Sequence, residues 1–323
     1  MKKKDVVSWV LLAALLVMGC PSPTGGKDPD TPSNLAEAKA MVWIPGGTFM
    51  MGSPASEPER DSDETQHSVT VSGFWMGKYE VTQGLYEEVM GSNPSYQDWY
   101  SGCGVGPNYP VYNVIWYDAV EFCNKLSKRE GLTPYYTIDK TTSDPDNTNS
   151  YDTYKWLVTP NPSANGYRLP TEAQWEYACR GDYQDKATET ATKPFGIGDG
   201  TKITGDMANF YGEYAYKLPD GEYEDPSGVY LGRTAVVGSY GTNNYGLYDM
   251  HGNVEEWCWD WYDDYPSGAQ NDPSGPVSGG YRVIRDGSWG TLGRYLRSAS
   301  RYYFISYLPV YKHDNIGFRL VRP

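Results

Sequence analysis

Histidine and cysteine are scarce in this chain of 323 residues, which contains three of the first and five of the second. The histidines lie far apart, at His67, His251 and His313, and no two cysteines have the CxxC spacing. Zinc sites in proteins use closely spaced Cys and His ligands. The sequence therefore matches no zinc pattern.

Four cysteines follow Cys20 in the sequence: Cys103, Cys123, Cys179 and Cys258. Cys123 and Cys179 both fall in predicted helices, so a disulfide between them is conceivable if the protein is exported to an oxidising compartment. Free, buried thiols are an equally good interpretation. The spacing of the cysteines does not choose between the two.

Basic residues are also few, since 27 Lys and Arg stand against 41 Asp and Glu and the net charge is −14. The basic residues are scattered, whereas residues 57–64 form an acidic run that we interpret as a solvated loop. Nucleic-acid binding needs clustered Lys and Arg that displace counterions from phosphates. We therefore expect no nucleic-acid partner.

The N-terminal apolar run, residues 6–17, is shorter than the roughly 20 residues that a membrane-spanning helix needs. It follows three lysines and precedes Gly19 and Cys20, which is typical of a signal peptide over residues 1–19. Residues 16–20, Leu-Val-Met-Gly-Cys, resemble a bacterial lipobox, and this resemblance implies that Cys20 carries a lipid. Residues 20–37 then form the lipidated cysteine and a flexible tether. We expect a bacterial membrane-anchored lipoprotein in the outer membrane, displayed on the cell surface; the alternative is a secreted protein cut near Gly19.

Hydrophobic periodicity predicts two main helices, at 116–129 and 172–179. The second begins with a capping box formed by Thr171 and Gln174. Short strands are predicted at 41–44, 68–71, 74–80, 282–285 and 317–321. Long loops rich in Gly and Pro join these elements, which suits one large α+β domain over residues 38–323.

The C-terminal residues 302–313 read Tyr-Tyr-Phe-Ile-Ser-Tyr-Leu-Pro-Val-Tyr-Lys-His. Their apolar residues follow neither the alternation of a half-buried strand nor the stripe of a helix, and Pro309 disfavours a central strand. Tyrosine with serine is typical of binding surfaces that adapt to many partners. We interpret the run as a binding surface; the alternative is that its aromatic side chains belong to the core.

Six motifs occur in the same order as in the formylglycine-generating-enzyme (sulfatase-modifying factor) domain, which the chain resembles over residues 40–322. They are Ile-Pro-Gly-Gly-Thr-Phe-Met-Met-Gly-Ser at 44–53, Lys-Tyr-Glu-Val-Thr at 78–82, Ala-Val-Glu-Phe-Cys-Asn-Lys-Leu-Ser at 119–127, Tyr-Arg-Leu-Pro-Thr-Glu-Ala-Gln-Trp-Glu-Tyr-Ala-Cys-Arg at 167–180, Gly-Leu-Tyr-Asp-Met-His-Gly-Asn-Val-Glu-Glu-Trp at 246–257, and Gly-Ser-Trp at 287–289 with Gly-Phe-Arg at 317–319. The resemblance implies a C-type-lectin-like fold with short mixed strands, two main helices and long loops.

The resemblance also argues against the chemistry of that family. In its catalytic members two cysteines lie just after the Gly-Ser-aromatic motif and act in copper-dependent oxidation of a substrate cysteine. Residues 290–301 of this chain contain no cysteine. A hydroxyl does not replace a thiolate as a soft-metal ligand or nucleophile. We therefore expect a protein that is not an enzyme.

The chain further resembles the variable proteins of diversity-generating retroelements, among them treponemal variable lipoproteins, which vary residues in a C-terminal segment ending near Gly-Phe-Arg. This resemblance implies a variable ligand-binding segment at 285–318. Its predicted variable contact positions are Asp286, Gly290, Thr291, Leu292, Tyr295, Ser300, Tyr302, Tyr303, Phe304, Ser306, Tyr307 and Asp314. Arg294, Arg297 and Arg301 lie between them, and we expect them to pair with carboxylates or carbonyls beneath the surface.

The resemblance implies no required cofactor and one candidate metal, calcium. The ligands would be the side chains of Asp249 and Glu256 and the carbonyls of Gly252 and Val254, and hard oxygen donors suit Ca²⁺. The alternative is that these carboxylates cap turns and pair with arginines.

Together these expectations describe a surface-displayed, non-catalytic lipoprotein, a receptor or adhesin. Its diversified C-terminal segment binds a variable ligand, expected to be a protein, and its contact with the membrane is through the lipid anchor only. Two alternatives remain open. One is a formylglycine-generating oxidoreductase that uses the remaining cysteines; the other is a lectin of fixed specificity, although fold alone does not establish function and the tetrapeptide calcium-sugar motifs of true lectins are absent.

Overall fold

The computed structural model describes residues 32, 34–97, 104–181, 193–212, 216, 228–301 and 308–323. These residues contain four α-helices: α1 Leu35–Ala38, α2 Gln83–Met90, α3 Trp116–Arg129 and α4 Glu172–Arg180. The two predicted helices, α3 and α4, are confirmed, and α4 has the predicted capping box between Thr171 and Gln174. The short helix α1 lies partly within the range expected to be a flexible tether.

Helix α2 was not predicted, although its two ends carry recognisable signals. The Thr82 side chain accepts a hydrogen bond from the backbone N–H of Leu85, and Gly91 ends the helix in the left-handed conformation with φ 87°. A threonine cap and a terminal glycine are the usual boundaries of a helix. The helix is only eight residues long, so its apolar stripe is too short to stand out in the sequence.

The described strands are short, and most have between two and five residues. They are β1 Met41–Ile44, β2 Gly47–Met51, β3 His67–Val71, β4 Phe74–Gly77, β5 Tyr136–Ser143, β6 Trp156–Pro160, β7 Glu255–Trp261, β8 Gln270–Asn271, β9 Arg282–Arg285, β10 Ile316–Gly317 and β11 Val321–Arg322. The strand predicted at 74–80 ends at Gly77, and the one predicted at 317–321 is divided between β10 and β11. The predicted α+β class, with short strands, few helices and long loops, is confirmed.

The strands form three small sheets of three strands and one hairpin. The sheet orders are β1-β4-β11, β10-β7-β9 and β2-β3-β8, and β5 pairs with β6. Both parallel pairs, β10 with β7 and β3 with β8, join strands that are distant in sequence. Residues 316–317 are thereby placed beside residues 255–256, and residues 69–70 beside residues 270–271.

Strand β7 lies between the two main hydrophobic cores. Trp257 packs into the core that contains α3, whereas the next residue, Cys258, packs into the core that contains α4. In strand β9, Val283 packs into the core that contains α4 and Ile284 packs into the core that contains α3. Since successive side chains of a strand point to opposite faces, this sheet supports both cores at once.

The described cysteines are free thiols, so the disulfide considered between Cys123 and Cys179 does not form. Cys123 lies in the core of α3 and Cys179 in the core of α4. Cys20 and Cys103 lie outside the described residues.

Among the residues that the structure describes, no helix has the length and apolar character needed to cross a membrane.

Candidate ligand-binding surface

The segment 285–318 starts at the end of β9. Asp286 adopts the left-handed backbone conformation, with φ 71°, and turns the chain out of the strand. A 3-10 helix, Gly293–Leu296, follows, and Arg297 returns the chain to an extended conformation. The residues that the structure describes after Arg301 begin at 308, and the chain continues from there into β10.

Helix α4 holds two buried arginines of this region by its carboxylates. Arg285 donates from Nη1 to Glu172 Oε1 and from Nη2 to Glu176 Oε2, each over 2.9 Å. Arg301 donates from Nε to Glu172 Oε1 over 2.7 Å and from Nη2 to Glu172 Oε2 over 3.1 Å. The two ends of the stretch 285–301 are therefore fixed to one helix.

The third buried arginine, Arg297, is held by the acidic run at 57–64. It donates to Glu57 Oε1 over 2.7 Å and to both carboxylate oxygens of Glu64, each over 2.7 Å. Glu57 is 7% exposed and Glu64 is fully buried. The interpretation of this run as a solvated loop is therefore wrong, because two of its carboxylates neutralise a buried guanidinium.

Nearby arginines lower the pKa of two of these carboxyl groups, those of Glu172 and Glu64, whereas burial outweighs Arg297 at Glu57 and raises its pKa. Burial disfavours the charged form of Glu172, but the charges and hydrogen bonds of Arg301 and Arg285 outweigh it and hold the pKa of Glu172 below its usual value. Arg297 does the same for Glu64. Removing one member of a buried, hydrogen-bonded pair costs about 3–5 kcal/mol, so these arginines are fixed points of the segment.

Between the arginines, the segment presents positions of differing exposure. Gly290 is exposed, and no atom of the described residues lies within 4 Å of a Cβ placed on it. Thr291, Leu292 and Tyr295 are half-buried. A Cβ on Gly287, in the same turn, would lie only 2.4 Å from Thr291 Oγ1. Position 290 therefore has room for a Cβ atom, whereas position 287 does not.

Two predicted contact positions lie below the surface. Asp286 and Ser300 are each 2% exposed. Asp286 Oδ1 accepts hydrogen bonds from the backbone N–H groups of Gly252, at 2.8 Å, and Gly287, at 2.7 Å. Asp286 thus fixes the turn after β9, and neither side chain is exposed at the surface. Their assignment as contact residues stays a prediction.

The remaining predicted contacts lie at the end of the segment. Asp314 is half-buried. Five positions lie outside the described residues: Tyr302, Tyr303, Phe304, Ser306 and Tyr307. Their assignment as contact residues stays a prediction.

A cavity of about 400 Å³ borders the fixed part of this segment. Arg301 and Glu172 line it, together with Tyr265, whose ring centroid lies 3.9 Å from the Arg301 guanidinium. A ligand on the segment therefore has a concave surface next to it.

The described thiols do not form a site for cysteine chemistry. Cys123, Cys179 and Cys258 are completely buried. Burial raises the pKa of each of these thiols. A nucleophilic or metal-binding thiol must be accessible and ionised, so these three residues match structural cysteines instead.

The carboxylates of the predicted calcium site already have partners in the protein. Glu256 accepts hydrogen bonds from Arg319 Nη2 at 2.8 Å, Arg319 Nε at 3.0 Å and Trp175 Nε1 at 2.7 Å. Asp249 Oδ2 accepts one from the backbone N–H of Gly238 at 2.6 Å.

In the part of the chain that the structure describes, no three His, Cys, Asp or Glu side chains are grouped so that they could hold a metal ion. The Glu256 carboxylate in particular does not fit a calcium ligand in this arrangement, because Arg319 bonds to both of its oxygens. Calcium at Asp249, Gly252, Val254 and Glu256 stays a prediction.

Sequence reasoning identified the arginines of the segment but missed their acceptors. Glu172 and Glu176 are four residues apart, which places them on one side of α4, and this spacing was a usable signal. The acidic run offered no comparable signal, because Glu64 and its partner Arg297 are 233 positions apart.

Comparison with known proteins gives a family match over nearly the whole chain. A family model described as the sulfatase-modifying factor enzyme 1-like domain matches residues 27–323. The chain is 37% identical over 260 residues to the chaperone protein LppX of Paenibacillus barcinonensis, covering 80% of this chain and 81% of that protein. It is 30% identical over 275 residues to the formylglycine-generating enzyme of Thermomonospora curvata, covering 78% of this chain and 83% of the enzyme.

A solved structure, that of Treponema denticola variable protein 1, superimposes with a TM-score of 0.65 at 33% identity, covering 88% of this chain and 95% of the other. This likeness confirms the predicted resemblance to treponemal variable proteins and the C-type-lectin-like fold. The similar proteins include an enzyme, a chaperone and a variable protein, so similarity by itself does not fix the activity.

Proposed function

Because the chain belongs to the family of sulfatase-modifying factor enzyme 1-like domains, we propose that it uses the scaffold of that family to present a diversified ligand-binding site rather than to catalyse a reaction. The protein is then a receptor or adhesin, and segment 285–318 is its binding site. The ligand is a protein that varies with the sequence of the segment.

The observation that carries this proposal is that the segment combines buried, ion-paired positions with an exposed position. Arg285, Arg297 and Arg301 are buried and bonded to carboxylates outside the segment, whereas Gly290 is open to solvent. A segment that is anchored by buried ion pairs tolerates substitutions at its exposed positions, because surface substitutions away from such anchors alter the free energy of unfolding by only about 0.5 kcal/mol. Similarity to a variable protein supports the same proposal.

The proposal of a non-catalytic protein rests on the cysteines. No cysteine occurs in residues 290–301, and the described thiols are buried. The competing function is that of the formylglycine-generating enzymes to which the chain is similar. Copper-dependent oxidation of a cysteine in a sulfatase-motif peptide by the purified protein would establish that function, and we expect no such oxidation.

We also propose that the protein is anchored by a lipid on Cys20 after removal of residues 1–19, in the outer membrane and exposed at the cell surface. Cell-surface protease treatment of intact cells, followed by detection of the protein, tests this display. Loss of the signal is the expected result, and complete protection would contradict it. The acidic surface supports the expectation that nucleic acid is not a partner.

The first test is the gene sequence in several sister isolates. We expect differences concentrated at the exposed and half-buried positions, such as Gly290 and Tyr295, with the arginine codons unchanged and a near-copy of the segment beside a reverse transcriptase gene. Identical sequences over residues 286–314 and no second copy would contradict programmed variation.

The tyrosines of the segment need a separate test. In a Tyr303→Ala, Tyr307→Ala double variant we expect normal folding and loss of ligand binding. A Tyr151→Ala variant is the matched control, since Tyr151 is 77% exposed and lies outside the segment. Unfolding of the double variant would assign these tyrosines to the core.

A further inference from the structure

The cavity of about 400 Å³ beside segment 285–318 has an acidic lining. Its charged residues, with histidine counted as neutral, are Glu172, Asp260, Asp263, Asp264 and Arg301. Arg301 is paired with Glu172 over 2.7 Å, and it donates to the backbone carbonyl of Asp263 rather than to its carboxylate. The carboxylates of Asp260, Asp263 and Asp264 form no ion pair with a residue that the structure describes. The cavity therefore carries negative charge without a matching cation.

Asp260 is the buried member of this acidic lining. It is 3% exposed, and its Oδ2 accepts the backbone N–H of Glu172 at 2.9 Å. Burial and the charge of Glu172 raise the pKa of Asp260 to about 7, and the opposing charge of Arg282 does not offset them. A buried carboxylate is usually paired with a cation. A cation in the cavity would give Asp260 such a partner.

Much of the remaining lining is apolar, and it includes Met51, Ala173, Pro266, Pro273 and Pro276. The proline-containing loop packs directly against Asp260, since a Cβ placed on Gly275 would lie only 2.7 Å from the Asp260 Cβ. The carboxylates and the apolar wall thus belong to one cavity. This combination suits a ligand group that has a hydrocarbon chain and a cationic end.

The chemistry of the lining favours an organic cation over a metal ion. In the part of the chain that the structure describes, no three His, Cys, Asp or Glu side chains are grouped so that they could hold a metal. Ionised carboxylates only accept hydrogen bonds, so the ligand must donate them. Ammonium and guanidinium groups supply both the donors and the positive charge, and Lys and Arg carry them on flexible hydrocarbon chains.

We propose that this cavity receives a basic side chain, lysine or arginine, of the protein that segment 285–318 binds. The cationic end pairs with the carboxylates of Asp260, Asp263 and Asp264, and the hydrocarbon chain lies against the apolar wall. The inference rests on the proposed function, because it names a feature of the ligand. Of the lining residues only Arg301 belongs to the segment, and it is one of the fixed arginines, so the cavity stays the same when the contact positions vary.

The experiment is a calorimetric titration of the purified full chain with three small amides. They are the N-acetyl methylamides of lysine, of arginine and of norleucine, the last of which keeps a hydrocarbon chain but lacks the cation. Binding of a cationic amide should be at least about tenfold tighter than that of the norleucine amide, since a hydrogen bond to a charged group contributes at least that factor. The tighter of the two cationic amides identifies the side chain. Equal affinity for all three amides, or binding of neither cation, overturns the proposal.

Variants locate the cation. Asp260→Asn removes a charge but keeps an oxygen for the Glu172 N–H, and it should weaken binding of the cationic amide about tenfold. Asp206→Asn is the matched control, because Asp206 is exposed and does not line the cavity, and binding should be unchanged.

A second variant covers the case in which Asp260→Asn does not fold. Asp263 and Asp264 are exposed, and the double variant Asp263→Asn, Asp264→Asn should weaken the cationic amide by a similar factor. Unchanged binding in both acidic variants overturns the proposal. These titrations use no protein ligand and leave segment 285–318 intact, so their failure removes this inference without bearing on the variation of the segment.

Discussion

At the scale of single residues, segment 285–318 separates positions that carry the fold from positions that do not. The sequence was sufficient to predict that Arg297 and Arg301 pair with carboxylates beneath the surface, because a guanidinium amid variable residues needs a fixed partner. It was insufficient for Asp286, which has the short polar character of a contact residue but accepts two backbone hydrogen bonds. The left-handed backbone at Asp286 distinguishes a turn-fixing residue from a ligand-contact residue. That backbone conformation cannot be predicted from the side chain alone.

Two glycines of the same turn should respond oppositely to substitution. Gly290→Tyr should change the free energy of unfolding by no more than about 0.5 kcal/mol, because Gly290 is exposed and no described atom lies within 4 Å of its added Cβ. Gly287→Ala should cost about 1–3 kcal/mol, because its Cβ would displace Thr291 or Leu296. Urea denaturation measures both. Equal losses would contradict the open position of Gly290.

Removal of arginine side chains should separate buried from exposed ion pairs. Arg297→Ala leaves Glu57 and Glu64 buried without their partner and should cost about 3–5 kcal/mol. Arg294→Ala is the matched control, because its pair with Asp61 spans 3.2 Å between side chains that are 33% and 41% exposed. That variant should lose less than about 1 kcal/mol in the same measurement. A large loss in the control would mean that the segment is fixed at four points.

At the scale of elements, the helices that carry the site were predictable and the loop that completes it was not. The capping box at Thr171 and the stripe of α3 are local signals, which require no knowledge of distant residues. The role of the acidic run depends on a contact across 233 positions. A local run of like charges predicts a solvated loop. At Glu57 and Glu64 that prediction was wrong, because both carboxylates are buried against Arg297.

The start of α4 should give a pH-dependent contribution to stability. Asp260 of β7 accepts the backbone N–H of Glu172 at 2.9 Å, and burial, reinforced by the charge of Glu172, raises the pKa of Asp260 to about 7. The folded state therefore holds this proton more tightly than the unfolded state. Its contribution to stability is complete below about pH 4 and is lost as the pH rises through about 7.

Asp260→Asn removes this titration and keeps an oxygen that can accept the hydrogen bond. Relative to the wild type, the variant should gain up to about 4 kcal/mol in free energy of unfolding between about pH 4 and about pH 8. Chemical denaturation at several pH values measures the difference. Parallel pH profiles for the two proteins would show that Asp260 does not titrate in this range.

At the scale of the whole molecule, the order of six motifs was enough to predict the α+β class and the lectin-like fold. The arrangement of two cores on either side of β7 was not predictable, because the run Glu-Glu-Trp-Cys-Trp-Asp-Trp at 255–261 alternates tryptophans with Glu256, Cys258 and Asp260, which is the pattern of a half-exposed strand. Both faces of that strand are nevertheless covered in the structure. The same property hides Glu256, which is buried against Arg319.

Calcium should have little effect on the stability of the whole domain if Arg319 remains the partner of Glu256. We expect the same melting temperature after chelation and after addition of calcium, because the Glu256 carboxylate is already bonded on both oxygens. Differential scanning calorimetry makes the comparison. A rise of several degrees with calcium would instead show that the folded domain binds the ion, and binding at Glu256 would require Arg319 to give up that pair.

The long-range pairing of Arg297 with Glu64 also sets an order of events in folding. Contacts between distant parts of a chain form slowly, since a large loop must close before they contribute. The path of segment 285–301 is complete only when residues near both ends of the chain have met. A chain that lacks Glu57 and Glu64 should therefore leave Arg297 without its carboxylate partners and should not hold segment 285–301 in this path.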